Sequence, residues 1–463
     1  MLPPKAIRRL SGFGQTSFND AYVHQPTNRK EVLEAIELAK TNGTKVVLRG
    51  SGLSYGDPAT ASECVVIDCT RMNRILSWSP ISGEIHAESG ATLEEIWRHA
   101  LPDGWFVPVV SGTTKVTLAG AIAMNIHGKN HLRRGNFAES VTWMEVMLVS
   151  GEVLELERDD PRFVHFVSTA GLLGIILSAK IVLKSVVSGF VDVTAKSCKN
   201  WHEQFEAFEC HAATHEYMVS WVDEFAYAEA AGRGVFHAAN HSGKSDAASM
   251  NPSAQALPSR IMGIVPKSEV WRILKLLNRP LGMRVANALK HLAGRLENGR
   301  TKRQSLAKFN FLLDYVPGWQ RSYLPAGLIQ CQIFVPAQAA LETFRYITTL
   351  MQESKQVAYL AVMKKHRAST VPTLFEHALD GYSLALDFRA SDAASEVVGQ
   401  IYEVCLRVGG KFYFAKDSQL TVEQATEWLG SNLAEFKRLK NLYDADGLLT
   451  SDLAVRLALV MRG

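Results

Sequence analysis

The sequence predicts an α+β protein made of a mixed first domain, a second α+β domain and a C-terminal tail that returns to the first. Three observations lead there. A chain of 463 residues is too long for one ordinary core, so two domains are expected. Up to Val187, short β-branched runs alternate with helical stretches and glycine-rich loops. From Ser188 to Gly410 the texture changes to helices and longer strands without such loops. The boundaries are therefore set at 1–187, 188–410 and 411–463.

The elements follow in order. Residues 31–43, EVLEAIELAKTNG, read as a helix, with Val32, Ile36 and Leu38 near helical spacing and Gly43 suited to the C-terminal cap. Lys45–Leu48 reads as a strand entering a glycine-rich turn, and Val65–Ile67 as another strand. Ile85–Glu88 and Leu93–Ala100 read as strand then helix. Val146–Val149 and Val153–Leu156 flank Ser150-Gly151, a hairpin signal. Gly174–Leu183 is a β-branched run, and Lys411–Ala415 a short aromatic strand followed by helices.

Composition excludes several classes. Hydrophobic residues at 47% and charged residues at 21% belong to a folded globular chain. A formal charge of +4 gives no sign of nucleic-acid binding. The cysteines at 64, 69, 198, 210, 331 and 405 form no CxxC pair and no Cys/His cluster of zinc spacing, so no metal site is expected. That usage suits a reduced, cytoplasmic protein. MLPPKAIRRLSGFG lacks the apolar core of a signal peptide, and no apolar run of about 18 residues could span a membrane. One segment stands apart: 257–303 holds eleven Lys or Arg against two Glu. Val270, Ile273, Leu274, Leu277, Leu281, Val285, Leu289, Leu292 and Leu296 recur in it at helical spacing, with Pro280 as a break.

Two motifs carry chemistry. In RGSGLSYGD (49–57) three glycines follow a strand, where backbone N–H groups could approach a pyrophosphate. An ordinary tight turn would use glycine too, and the pattern is not the GxGxxG of a nicotinamide site. SGTTKVTLAGAIAMNIHGKNH (111–131) mixes small residues with hydroxyls able to wrap an extended ligand, and ends in a cluster of two histidines, a lysine and an asparagine that suits a site.

With these blocks on the page, the chain resembles the FAD-binding domain of the vanillyl-alcohol oxidase superfamily. More narrowly it is similar to the decaprenylphosphoryl-β-D-ribose 2′-oxidase family, the flavin half of a ribose-to-arabinose epimerase. The likeness runs nearly end to end: RRLSGFGQT (8–16), PVVSGTTKVTLAGAIAMNIHGKNH (108–131), LLGII (172–176), PAGLIQCQIFVP (325–336), LDF (386–388), YFAKDS (413–418) and SDLAVRL (451–457) fall in family order. The resemblance implies a two-subdomain FAD-binding domain plus an α+β substrate-binding cap. Arg49, Gly50, Ser51, Gly52, Leu53, Ser54, Tyr55 and Gly56 would hold the FAD pyrophosphate. Gly112, Thr117, Leu118, Ala119, Gly120, Met124, Asn125, Ile126 and His127 would line the flavin, with Ile176 and Tyr413 beside it. Relatives that attach FAD covalently carry a histidine where Leu53 stands, so the resemblance implies dissociable FAD.

The same resemblance makes Lys416 the active-site lysine, with Lys129 and His127 in the catalytic set and Gln332 and Lys364 on the substrate. Asn310 and Ser383 stand where the family has a tyrosine and an asparagine, and Ala385 where mycobacterial members have a cysteine; these departures touch the sugar pocket and not the flavin. The chemistry is coherent. Removing a hydride from a carbinol carbon requires its hydroxyl proton to leave, and a lysine of lowered pKa can take it while a cation stabilises the alkoxide. The implied reaction is oxidation of the 2′-hydroxyl of a polyprenyl-phosphate-linked pentose to a ketone. A short-chain NAD(P)H-dependent keto-reductase would complete the epimerisation for cell-envelope arabinan. The alternatives are a soluble sugar or aldonolactone oxidase using FAD, and a non-catalytic FAD-fold protein that binds a glycolipid. A lipid substrate would bring the enzyme to the inner face of the membrane, with 257–303 as the candidate interfacial element.

Overall fold

The computed structural model describes residues 6–261 and 265–460. β1 (Ile7–Leu10), β2 (Asn19–His24), β3 (Val46–Arg49) and β4 (Val65–Asp68) form a first sheet of order β1-β2-β4-β3. β2 and β3 both run parallel to β4, and helix α1 (Arg29–Thr41) joins β2 to β3. The Asn28 side chain caps α1 by accepting from the Glu31 N–H, and Gly43 follows its end at φ 62°. Both capping residues lie outside the helix, which is why it spans 29–41 where 31–43 was expected. Val32, Ala35, Ile36 and Ala39 are buried with Val46, Val65 and Ile67.

β5 (Ile75–Ser79), β6 (Glu84–Glu88), β7 (Trp105–Phe106), β8 (Val141–Met147), β9 (Val153–Glu157), β10 (Ile175–Val182) and β11 (Lys184–Ser185) come next. β7 and β11 pair with each other, and the rest form an antiparallel sheet of order β5-β6-β10-β8-β9. The expected hairpin is β8–β9, with Met147 opposite Val153. α2 (Leu93–Ala100) begins at a capping box between Thr92 and Glu95 and spans the residues the sequence indicated. α3 (Leu118–Ala123) starts at Thr117, whose hydroxyl accepts from the Gly120 N–H, and packs on β6 and β10. α4 (His131–Arg134) ends the motif.

A second sheet system lies beyond. Its strands are β12 (Phe190–Cys198), β13 (Tyr217–Val222), β14 (Gly234–His241), the short pair β15 (Arg260–Ile261) and β16 (Val265–Pro266), β17 (Thr301–Ser305), β18 (Leu328–Pro336), β19 (Leu360–His366), β20 (Gly381–Arg389) and β21 (Lys411–Phe412). Except for the short pair they form one sheet, β17-β12-β14-β13-β19-β20-β18-β21. Helix α5 (Trp201–Ala212) lies on one face of it. α6 (Val270–Leu277) and α7 (Pro280–Glu297) form a hairpin broken at Pro280, the first residue of α7. α8 (Leu306–Asn310), α9 (Ala337–Glu353) and α10 (Asp392–Arg407) follow, and α9 and α10 join α5 on the covered face. That face is apolar: Cys331, Ile333, Met363, Leu384 and Leu386 are fully buried. Alternate residues point the other way, so Gln330 and Gln332 of β18, Lys364 of β19, and Ser383, Ala385 and Asp387 of β20 share the opposite face.

The strand expected over Lys411–Ala415 is shorter. Only Lys411 and Phe412 pair, and they pair with β18 of the second sheet. The chain then tightens into a 3-10 turn, with the Lys416 N–H donating to the Tyr413 carbonyl. The return to the first sheet begins after that turn. α11 (Val422–Leu429) and α12 (Ser431–Tyr443) lead to Leu448 and Leu449, which pack beside β3. The Val46 N–H donates to the Leu448 carbonyl. α13 (Asp452–Arg456) closes the chain, and the Arg456 guanidinium bridges Asp57 and Asp417 at 2.9 Å each, tying the glycine-rich loop to the Lys416 turn.

Candidate active site

A cavity of about 1220 Å³ separates the polar face of the second sheet from the first domain. It exceeds the roughly 300–1,000 Å³ that encloses a drug-sized ligand, leaving room for a large cofactor and a substrate together. Its lining includes the loop from Arg49 to Tyr55 and Thr117, Ala119, Gly120, Met124, Ala170, Gly171 and Ile176 of the first domain. It also includes Lys129, Asn310, Gln330, Gln332, Lys364, Ala385 and Lys416.

The glycine-rich loop has two jobs. Among the described residues the backbone N–H groups of Ser51 to Ser54 donate to no other group, so amides are available at the cavity wall. Its glycines are also required by close packing. A Cβ on Gly50 would lie 2.3 Å from the Thr117 hydroxyl oxygen, and one on Gly56 would lie 1.9 Å from the Asp417 carbonyl oxygen. Gly52 sits at φ 65°, a conformation that favours glycine. Arg49 is spent structurally, donating to the Ala59 and Ser11 carbonyls at 3.0 Å each.

FAD fits this wall. The chain offers free amides for a pyrophosphate. It also leaves the His127 Nδ1 and the Asn310 Nδ2 buried with no partner among the described residues, on residues that line the same cavity.

The lysines are set by desolvation. Burial, with Lys364 nearby, pushes Lys129 down to about 7; its ammonium donates to the Phe309 carbonyl and lies 4.3 Å from the centre of the Phe309 ring. Burial alone pushes Lys364 down to about 8. Lys416 is also lowered by burial, the Asp387 carboxylate opposing that and Lys364 adding to it, and its Nζ stands 3.7 Å from the centre of the Tyr55 ring. Asp387 is raised by burial, with one oxygen receiving the Gln330 amide and the other without a partner among the described residues. Such a site holds amines able to take a proton near neutral pH.

Behind the wall is a histidine cluster. The His127 Nε2 meets the Gln332 amide at 3.1 Å, that amide donates to the Ser383 hydroxyl at 3.2 Å, and Ser383 meets His366 Nε2 at 2.7 Å. The His131 ring lies tilted with its centre 4.4 Å from that of His366, and the His377 ring centre lies 4.4 Å from that of Tyr413. Burial and neighbouring cations hold His127, His366 and His377 well below the ordinary histidine range, so these rings are neutral.

Most of the expected residues meet at this cavity; four do not face it. Gly56 packs on Asp417 instead. Leu118 points into the core under α3. Asn125, at φ 44°, turns inward to accept from the Ala138 N–H. Ser383 sits one layer back, holding Gln332 and His366. Residues not anticipated also reach the wall: Gln330, His237, Trp221, Trp319 and Lys290, with Asp387 just behind. Lys290 is an exposed residue of α7 whose ammonium lies over the Trp221 ring, at 4.3 Å, where desolvation lowers it to about 8. The signal for part of this set was polar residues at every second position of otherwise apolar strands, as in LIQCQIFV and SLALDF.

Among the described residues no group of three or more His, Cys, Asp or Glu could hold a metal ion, and no helix is long and apolar enough to cross a membrane.

Comparison with known proteins adds to the geometry. A family model described as an FAD binding domain matches residues 21–157. Decaprenylphosphoryl-beta-D-ribose oxidase of Mycolicibacterium smegmatis is 30% identical over 474 aligned residues, covering 99% of this chain and 99% of that protein. More distant likeness is partial. Mitochondrial D-2-hydroxyglutarate dehydrogenase of Arabidopsis thaliana is 27% identical over 38% of this chain and 33% of its own length. A putative D-arabinono-1,4-lactone oxidase of Neurospora crassa is 25% identical over 37% of this chain and 30% of its own.

Proposed function

The chain belongs to the decaprenylphosphoryl-β-D-ribose oxidase family of FAD-dependent oxidoreductases, and from that premise we propose that it oxidises the 2′-hydroxyl of a polyprenyl-phosphate-linked ribose to a ketone. The observation that carries the reading is one continuous cavity whose lining holds both the amide-bearing loop at Ser51–Ser54 and a sheet face with Gln332 and Lys364, together with Lys129 and Lys416.

Bound FAD supplies the hydride acceptor. The chain's own groups do the rest. The amides of Ser51–Ser54 hold the pyrophosphate, and Thr117, Gly120, Met124, Ile176 and Tyr413 pack around the ring system. Leu53 offers no atom for covalent attachment, so the cofactor is dissociable. Lys416, as the neutral amine that burial favours, takes the 2′-hydroxyl proton. Gln332, fixed by His127 and Ser383, orients the hydroxyl, and Asn310 lines the sugar. Lys129 and Lys364 face the phosphate and the developing oxyanion.

The keto product needs reduction on the opposite face to give the arabino epimer, a role for a short-chain NAD(P)H-dependent keto-reductase. A nicotinamide-dependent partner places the reaction on the cytoplasmic side. The partial likeness to a putative D-arabinono-1,4-lactone oxidase supports a second reading, oxidation of a soluble sugar or lactone. Comparing kcat/KM for polyprenylphosphoryl ribose, free ribose and arabinono-1,4-lactone separates the two. The proposal expects turnover with the phosphoryl lipid alone. Faster turnover of the lactone would replace it with the second reading.

A further inference from the structure

The hairpin α6–α7 carries its apolar residues on the outside. Leu276 is 78% exposed, Leu281 75% and Leu296 68%, and Ile273, Val285, Leu289 and Leu292 are exposed as well. An α7 that used this face to join the core would bury it. Instead α7 lies on β12 and β14 through its other side, where Gly294 packs on Val235 and Asn287 is buried. At 100° per residue, Leu281, Val285, Leu289, Leu292 and Leu296 fall on one stripe, and Arg284 and Arg295 border it.

A second observation lies at the hairpin's other end. A cleft of about 420 Å³ is lined by Arg272, Lys275 and Arg279 of the hairpin and by Arg389 of β20. Four cations converge there, and among the described residues only Arg272 has a carboxylate partner, Glu269. The segment 257–303, of which 262–264 lie outside the described residues, carries a net +9 within a chain of net +4. An apolar stripe edged by cations, with a basic cleft beside it, is complementary to acyl chains under anionic headgroups.

We propose that the α6–α7 hairpin is a docking surface for an anionic lipid bilayer, its apolar stripe entering the acyl boundary and its basic cleft receiving lipid phosphates. The hairpin also reaches the cavity, since Leu274 and Lys290 line its wall. Docking thus sets the cavity against the lipid surface. This goes beyond the proposed reaction and does not depend on which sugar is oxidised.

The test is co-sedimentation of the FAD-loaded protein, without substrate, on phosphatidylcholine vesicles and on vesicles in which phosphatidylglycerol replaces part of the phosphatidylcholine. The expected result is binding to the anionic vesicles that weakens with added salt. A basic residue at an anionic surface contributes about fivefold to partitioning, so Arg272→Glu, Lys275→Glu and Arg279→Glu together should weaken binding by on the order of 10²-fold. Leu289→Glu with Leu292→Glu should abolish it. Flavin content shows that each variant is folded. Equal, negligible sedimentation on both vesicle types overturns the proposal. So does a concentration-dependent dimer, seen by light scattering, that Leu289→Glu dissolves, because a second copy would then cover the stripe. Flavin reduction by detergent-dispersed substrate reads the proposed reaction separately, so failure of one claim leaves the other standing.

Discussion

Replacing Lys416 with alanine removes the amine 3.7 Å from the Tyr55 ring centre, in the cavity wall. A positioned base contributes about 10²–10⁴-fold to rate, which is about 3–5 kcal/mol of barrier at 1.36 kcal/mol per factor of ten. FAD occupancy should stay unchanged, because the amides of Ser51–Ser54 and the Thr117 cap do not depend on this side chain. The assay is anaerobic stopped-flow reduction of the flavin across pH. The reactive form is the neutral amine, so the rate rises with pH through the pKa of Lys416, which burial places below the usual lysine range. Asp387 favours the ammonium; Asp387→Asn removes that support and should move the rising limb to lower pH. Reduction by Lys416→Ala at the native rate would refute the role of the lysine. A limb that moves to higher pH in Asp387→Asn would refute the electrostatics.

Other outcomes follow from the same site. Lys129 falls from 10.5 to about 7 on folding, so its buried ammonium costs stability in full below pH 7, and the cost fades as pH rises to 10.5. Lys129→Met should therefore stabilise the apo protein near pH 6.5 by up to about 5 kcal/mol, at 1.36 kcal/mol per pKa unit, while raising KM for the phosphoryl substrate; thermal melts at pH 6.5 and 10.5 check it. Lys364, lowered to about 8, holds a phosphate only while protonated, so KM should rise as pH passes 8, and Lys364→Met should flatten that rise. His127→Ala removes the ring that meets Gln332 and lies 5.2 Å from Tyr413, and should shift the flavin spectrum and weaken FAD binding; an unchanged spectrum and affinity would place the flavin elsewhere. Acid precipitation should release the flavin into the supernatant, given Leu53 in the loop; flavin that stays with the polypeptide contradicts that reading.

Local chemistry made the first domain legible. Caps at Asn28 and Thr92 and the Ser150-Gly151 turn act within a few residues, and α1 and α2 lie within two residues of where they were read, while the β8–β9 hairpin turns where it was read but its first strand begins five residues earlier, at Val141. The 411–415 strand was misjudged because its aromatics serve different walls: Phe412 pairs with Ile333 and Phe414 packs in the core, while Tyr413 lines the cavity. In the site, the glycine loop and the 111–131 segment were visible as motifs. Asp387 and Gln330 lay in visible strand patterns and Lys290 in the basic segment, but their place at the cavity was not legible, because strand register and helix packing between residues far apart in the chain bring them there. Leu118 and Asn125 show the converse: a residue inside a site motif can serve the core that supports it. The stripe on α7 shows the same limit, since helical spacing reveals a face but not whether it turns inward.

The central claim is removal of the C2′ hydride from a polyprenyl-phosphate-linked ribose. Anaerobic mixing of the FAD-loaded protein with polyprenylphosphoryl ribose measures it directly. The account predicts stoichiometric bleaching of the flavin, slowed severalfold when deuterium replaces hydrogen at C2′ and not when it does so at C3′. Absence of bleaching with this lipid, or an isotope effect only at another carbon, would contradict it.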